Sequence, residues 1–532
     1  MRIKFFAASL LIFFSATAQQ QFLPLHDDWN RHSYKIFTEV GSSDFSSVKP
    51  LLISWLPSCN QNFADSVHEK LSRAGNFFHH LADTSLINIH RDVLWLQVDP
   101  LAEFTYGKTS DSIQKTYTNT RGVRIHGDAG SKFSFSTSFY ESQAKFPLYI
   151  AGFISDSSVI PGQAHARKFK GGAAGYDYEM ATGYLSYSPS KYLNMQFGQD
   201  KNFIGNGYHS LLLSDNASPY PFFKLDARVW KIRYMNLWTQ FTDLHSKQNV
   251  YDSYFKKYGA FHFLDCLIGK RIELGLFEGI IWPSADSSGY RGVEFSYLNP
   301  VIFFHSVQSS LGTPDNSVMG LNFVYKLSST AQFYSQFFLD DFDLGRSKKG
   351  KGFYRNKYAY QLGLKYFDAF KIPGLFLEAE YNEVWPYTYA HKIPTQNYTH
   401  SNQSLAHPLG ANFREELFIA EFSKKRISVN LKIQVAQIGA DRDSTHYGHN
   451  IFTSDYSISD FPNSYGNFVG QGIENYLFCA SYEFSFLINP ASNLRLAAGI
   501  DSRKMTVNTV AEKTQLIYLS LRTGMFRKSF DF

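Results

Sequence analysis

The chain has 532 residues, 44% of them hydrophobic and 17% aromatic, with 50 Phe, 34 Tyr and a net charge of +6 at pH 7. Its mean hydropathy is −0.26, and its basic residues are scattered without a Lys/Arg stripe or a basic tail, which argues against nucleic acid as a partner. Three cysteines, Cys59, Cys266 and Cys479, are too few and too widely spaced for a disulfide framework or a zinc pattern, so unpaired thiols are expected.

Residues 1–18 predict an export signal. Arg2 and Lys4 supply a positive start, Phe5 to Phe14 an apolar core, and Ala16-Thr17-Ala18 a small-residue cleavage site. Residues 19–91 are expected to form a small periplasmic or lumen-plugging segment. Within it Phe63, Val67, Leu71, Ala74, Phe78 and Leu81 recur at steps of three and four, predicting a helix over Asn62 to Leu81. No later apolar run approaches the roughly 18–20 residues that a membrane-crossing helix needs.

From residue 92 to residue 532 the pattern changes to strand, turn, strand. The clearest case is Ile427-Ser-Val-Asn-Leu-Lys-Ile-Gln-Val435, in which Ile427, Val429, Leu431, Ile433 and Val435 share one face and Ser428, Asn430, Lys432 and Gln434 the other. Similar segments recur along the chain. They include Val93–Tyr106, Val229–Phe241, Ile272–Ile281, Gly292–Phe295, Val318–Tyr325, Leu375–Tyr381 and Leu516–Arg522, about eighteen in all. Low mean hydropathy beside abundant aromatic residues fits lipid-facing side chains that alternate with polar lumen ones, with rings gathered at the membrane interfaces. The predicted class is therefore all-β: a transmembrane outer-membrane β-barrel of about eighteen antiparallel strands, with a small helical periplasmic or plug segment before it. Tight connections such as Ser188–Ser190 and Asn489–Asn493 predict periplasmic turns, and the long ones at 340–357, 388–414 and 439–475 predict extracellular loops. Phe526, Phe530 and Phe532 resemble the terminal aromatic signal read by the barrel assembly machinery.

Two stretches carry the candidate site. In Phe197–Phe223, Asp200, Lys201, Asn202 and Asp215 offer polar contacts, while Gly205 and Gly207 permit close backbone approach, a pattern for a lumen gate or a ligand site. No Walker lysine follows these glycines, so they do not make a phosphate loop. In Glu380–Phe413, the rings of Tyr387, Tyr389, Tyr398, His400 and His407 stand beside Asn402, Gln403 and Asn412. Flat rings with amide and hydroxyl groups suit a sugar, and a loop packed on its own side chains is the structural alternative. Arg346, Arg355 and the lysines between 348 and 357 follow Asp340, Asp341 and Asp343, giving a mixed-charge loop or an attraction to lipopolysaccharide phosphate. The 17 histidines show no metal-ligand spacing, and the adjacency of Asn206, His209 and Ser210 does not make a triad, so neither a cofactor nor enzymatic activity is expected.

Phe197–Phe223, Tyr258–Glu278, Tyr297–Asn316 and Glu380–Phe413 resemble the Wzi family of outer-membrane capsule-assembly barrels, in the branch that includes gliding-motility proteins such as RemB. The resemblance runs from about residue 92 onward. It implies an eighteen-stranded barrel with a helical periplasmic portion, no cofactor, and a role with surface exopolysaccharide, in capsule assembly or attachment or in gliding motility. It also implies arginine where this chain has His209 and Trp385. The expected partners are surface polysaccharide, lipopolysaccharide with outer-membrane lipid, and the barrel assembly machinery. The alternative is a porin-like channel or transporter.

Overall fold

A computed structural model describes residues 21–26, 30–31, 34–56, 85–111, 115–169, 175–248, 253–286, 289–301, 303–347, 351–442, 445–455, 465–525 and 528–532. The export signal and the helix expected over 62–81 lie outside the described residues.

Eighteen antiparallel strands close into one barrel. In chain order they are β1 Leu94–Thr109, β2 Lys115–Ala129, β3 Phe133–Lys145, β4 Tyr176–Ser190, β5 Leu193–Asp200 and β6 Tyr220–Val229. Next come β7 Ile232–Gln248, β8 Ser253–Ile268, β9 Ile272–Pro283, β10 Asn316–Lys326, β11 Ala331–Asp341 and β12 Lys357–Phe367. The last six are β13 Leu375–Val384, β14 Phe413–Lys424, β15 Ile427–Ala440, β16 Ile473–Asn489, β17 Leu494–Val507 and β18 Val510–Arg522. Closure comes from β18 pairing with β1, from Leu516↔Thr109 to Arg522↔Glu103. Below that seam Ile87–Arg91 folds back on Leu94–Val98 and continues the wall toward the periplasm.

The strand count matches the expectation, but two segments change places. Gly292–Phe295 is not a barrel strand, because it belongs to a long loop that begins a short 3-10 turn at Phe295. Tyr220–Val229 is a strand absent from the expected set, its residues divided there between the 197–223 stretch and the Val229–Phe241 segment. Its lumen face carries Lys224 and Asp226, and its turn to β7 is only Trp230-Lys231, with Trp230 at φ 54°.

Side-chain alternation is obeyed. On β15 Ile427 and Val435 are exposed on the outer wall, while Gln434 is buried in the bore. Rings mark both edges of the wall: Tyr187, Tyr192, Trp230 and Phe370 are exposed near the short turns, and Tyr358 packs on Trp385 (4.7 Å) and Tyr360 on Tyr381 (6.0 Å) near the long loops. These are the girdles of a membrane barrel. Cys266 points to the outer wall and Cys479 lines the bore; both are free thiols.

The apolar core sits inside the barrel, where Val48, Leu212, Phe222, Phe261, Phe338, Tyr398 and Leu477 form one cluster. Three parts of the chain fill that space. Loop 201–219 and loop 385–412 turn inward from the long-loop side. From the opposite side, the 21–56 segment enters and Val48-Lys49 pairs with Phe203-Ile204. Residues 528–532 return into the bore after β18 has ended at Arg522, so Phe532 lies against Phe153 (ring centroids 4.5 Å) rather than on the last strand. Phe153 belongs to α1, Leu148–Ser157.

Candidate functional site

Loop 201–219 crosses the bore and is gripped by polar side chains that point inward from the strands. Glu380 on β13 accepts the backbone N–H of Tyr208 (2.7 Å) and of His209 (3.1 Å). Gln336 on β11 accepts from Leu211 N (2.8 Å), and its amide donates to the Ile204 carbonyl (3.0 Å). Gln361 on β12 donates to the His209 carbonyl (3.0 Å). The N-terminal segment joins the same layer: Ser47 Oγ donates to Glu273 Oε1 (2.6 Å), Asn206 donates to Ser46 Oγ (2.6 Å), and Asn322 donates to Asn206 Oδ1 (3.0 Å). Two glycines make the approach possible. A Cβ on Gly207 would stand 2.3 Å from Glu380 Oε2, and Gly205, at φ +148°, would place one 2.4 Å from Gln336 Nε2.

Loop 385–412 lies above this layer, and lysines from the wall fix it. Lys257 Nζ donates to the Asn397 carbonyl (2.7 Å), Asn397 Oδ1 (2.7 Å) and Thr399 Oγ1 (3.0 Å). Lys357 Nζ donates to the Ala390 carbonyl (2.9 Å) and pairs with Asp455 (3.1 Å) and Asp340 (3.3 Å). The rings of the loop point down into the core. Tyr389 OH donates to the Leu211 carbonyl (3.0 Å) and Tyr398 OH to that of Leu212 (2.6 Å), with the two rings stacked 5.8 Å apart. His400 Nδ1 accepts from Thr242 N (3.0 Å). Burial, with Lys257 and Lys201 nearby, lowers the His400 pKa to about 3, and burial beside Lys357 lowers that of His391 to about 4.

The sequence-selected residues therefore take these places. Tyr389, Tyr398, His400, His407 and Asn412 are brought together inside the bore, with their polar tips on protein groups. Asn412 donates to the carbonyls of Gly439 (2.6 Å) and Gln471 (2.9 Å) and accepts from Gly470 N (2.8 Å). Tyr387 sits higher and donates to the His446 carbonyl (2.9 Å). Lys201 Nζ donates to the Asp215 carbonyl (2.8 Å), and Asn202 Oδ1 accepts from Lys224 Nζ (3.1 Å). Asp200 closes β5, half-buried, at the base of the same loop. Sequence reading missed the grip itself: Glu273, Asn322, Gln336, Gln361, Glu380, Asn382, Glu415 and Gln434.

His209, His407 and Glu415 bring possible ligand atoms within 4.8 Å of one another. Their hydrogen bonds run a different way. His407 Nδ1 accepts from Leu409 N (3.2 Å), so Nε2 carries the proton and donates to Glu415 Oε2 (2.8 Å). Glu415 also accepts from Asn382 (2.8 Å) and Gln434 (2.6 Å). A cation would need the His407 Nε2 lone pair, which this tautomer does not offer.

Beside the plug the bore keeps a cavity of about 350 Å³, lined among others by Tyr149, Tyr178, Arg503, Tyr518, Arg522 and Asp531. Long loops on one side, short turns on the other, ringed edges and a closed wall with an apolar outer face meet the requirements of a bilayer without leaving a sheet edge open. The chain is an outer-membrane β-barrel. Wzi of Escherichia coli, described as an outer-membrane protein involved in group 1 capsule assembly and a carbohydrate-binding β-barrel, is similar over 95% of this chain and 100% of its own, with a TM-score of 0.52 and 12% identity. OprD of Pseudomonas aeruginosa is similar over 80% of this chain and 94% of its own (TM-score 0.42, 10% identity). OpdK of the same organism, crystallised with vanillate, is similar over 80% and 98% (TM-score 0.44, 9% identity). At these identities the likeness is one of fold. No protein-family profile matches the sequence, and no curated protein is similar to it in sequence.

Proposed function

We propose that this barrel is a non-enzymatic binder of surface exopolysaccharide, which it helps to assemble or hold at the cell surface, in a capsule-like role or in one linked to gliding motility as in the RemB branch. The observation that supports this most is the plug: two inward loops and the 21–56 segment cross the bore, with their polar tips committed to one another. Such an interior favours holding a ligand outside over passing one through. The fold shared with the carbohydrate-binding barrel Wzi supports the same reading.

The outer rim offers suitable contacts. Phe468 and Phe342 are exposed there, and His245 packs beside Phe452 (5.2 Å). Rings stack on sugar CH faces while imidazole and amide groups take the hydroxyls. Binding of the cell's own purified surface polysaccharide to the folded protein is the test. Measurable affinity that falls at least tenfold in Phe342→Ala/Phe468→Ala supports the reading. No binding, together with unchanged surface polysaccharide and colony spreading in a deletion strain, refutes it. The porin-like alternative is separated by planar-bilayer conductance: steady open-channel currents from the intact protein would favour it.

A further inference from the structure

The described parts of the loop between β9 and β10, residues 284–286, 289–301 and 303–315, do not turn into the bore. They fold down over the outside of the wall. On β8 Lys257, Phe261 and Asp265 are buried in the bore, so Tyr258, Ala260, His262, Leu264, Cys266 and Ile268 face outward. On β9 the outward stripe is Ile272, Leu274, Leu276, Glu278, Ile280 and Trp282. His262 and Glu278 are directly paired in the register, with Nδ1 and Oε2 4.0 Å apart. They place a polar notch within two apolar stripes, where a charged side chain facing lipid is costly.

The loop covers that notch. Phe304 begins helix α2, Phe304–Leu311, and its ring stacks on His262 at 4.0 Å. His305 N donates to Glu278 Oε1 (3.2 Å). Tyr297 is buried against Trp282 (5.0 Å), and the Trp238 indole donates to its carbonyl (3.1 Å). Arg291 closes the loop on Asp315 with a two-pronged pair (2.5 and 2.7 Å). The loop is thus fixed at a depth flanked by Ala260 and Leu264. Its far side carries Tyr290, Phe295, Val301 and Phe303, which are 80%, 83%, 81% and 76% exposed. On the wall beside the covered notch, Met319 pairs with Glu278 and Leu321 with Leu276 in the register, and Leu276, Met319 and Leu321 are exposed outward.

We propose that residues 289–301 and 303–311 form an interfacial anchor seated in the outer leaflet, with Tyr290, Phe295, Val301 and Phe303 in the acyl chains of the lipid. The lipid-facing wall beside it favours lipid over a protein partner. The anchor seals the His262–Glu278 notch from the bilayer and fixes one side of the barrel at a set depth.

The test is a nitroxide spin label at Val301→Cys, in a chain with Cys59, Cys266 and Cys479 changed to Ser, reconstituted in vesicles of phosphatidylcholine and lipopolysaccharide. Collision with oxygen and with a water-soluble nickel chelate is compared with labels at Leu321→Cys on the wall and Lys392→Cys on the extracellular side. Oxygen-favoured collisions within about twofold of position 321 are the expected result. Nickel access like that of position 392 would overturn the proposal, and so would shielding from both reagents, the sign of a covering protein. Heat-shifted electrophoretic mobility checks folding, and Asn299→Cys on the same exposed ridge replaces position 301 if that variant does not fold.

Discussion

Removing residues 528–532 should expose the lumen cavity from within. Lys528 pairs with Glu103, Asp531 with Lys432 and Tyr208, and Arg503 Nε donates to the Phe532 carbonyl (2.8 Å). Phe530 packs on Phe146 (6.1 Å) and Phe532 on Phe153 (4.5 Å). Two half-buried rings contribute about 4 kcal/mol, and the charge-assisted contacts about 6 kcal/mol. Ordering five residues costs about 7 kcal/mol, which leaves about 3 kcal/mol holding the segment in place. A tenfold change corresponds to about 1.4 kcal/mol, so the docked segment should shield the cavity by roughly a hundredfold. Cys479 lines the same cavity as Phe530 and Asp531 and serves as a native probe once Cys59 and Cys266 are replaced by Ser. The rate of its modification by a charged thiol reagent should rise about a hundredfold in the truncated protein. A change below about threefold would refute the reasoning.

Acid should loosen loop 385–412. His391 and His400 titrate near 4 and 3 when docked but near 6.5 in water, so docking is at full strength above pH 6.5 and weakens as the pH falls toward 4. At pH 4.5 each imidazole costs about 3 kcal/mol, and hydrogen exchange of residues 385–412 should be markedly faster than at pH 7; equal corrected rates would count against this. Lys257→Met removes three charge-assisted hydrogen bonds, to the Asn397 carbonyl, Asn397 Oδ1 and Thr399 Oγ1, and should lower stability by about 2–4 kcal/mol, read as an earlier heat-induced mobility shift. Gly207→Ala places a Cβ against Glu380 Oε2 and should cost about 2–4 kcal/mol by breaking its grip on the Tyr208 and His209 amides; a melting curve superposing on that of the parent protein would show that the grip is not needed.

The outer wall was readable because every position on it faces the same environment. Ile427 to Val435 needs only to be oily at alternate places, whatever its neighbours, and that rule survives in one sequence. Lumen positions face particular partners. Lys224 and Asp226 on β6 suit the bore, where Lys224 meets Asn202 and Asp226 pairs with Arg233 (2.5 Å). The outward Phe223, Leu225, Ala227 and Val229 keep the oily alternation, and the strand goes unnoticed because its two ends fall to the 197–223 stretch and to the strand expected from Val229. Gly292–Phe295 failed in the opposite sense: short apolar alternation there serves a loop lying on the wall. The aromatic and histidine residues of 385–412 stood out by composition. Their partners did not, because the Leu211 and Leu212 carbonyls are brought to Tyr389 and Tyr398 from 178 and 186 residues away. Gln336, Gln361 and Glu380 look like any other polar lumen residue until loop 201–219 is laid across them. A strand's periodicity fixes which way a side chain points, and closure of the bore depends on what it meets there, which only the register of distant strands decides.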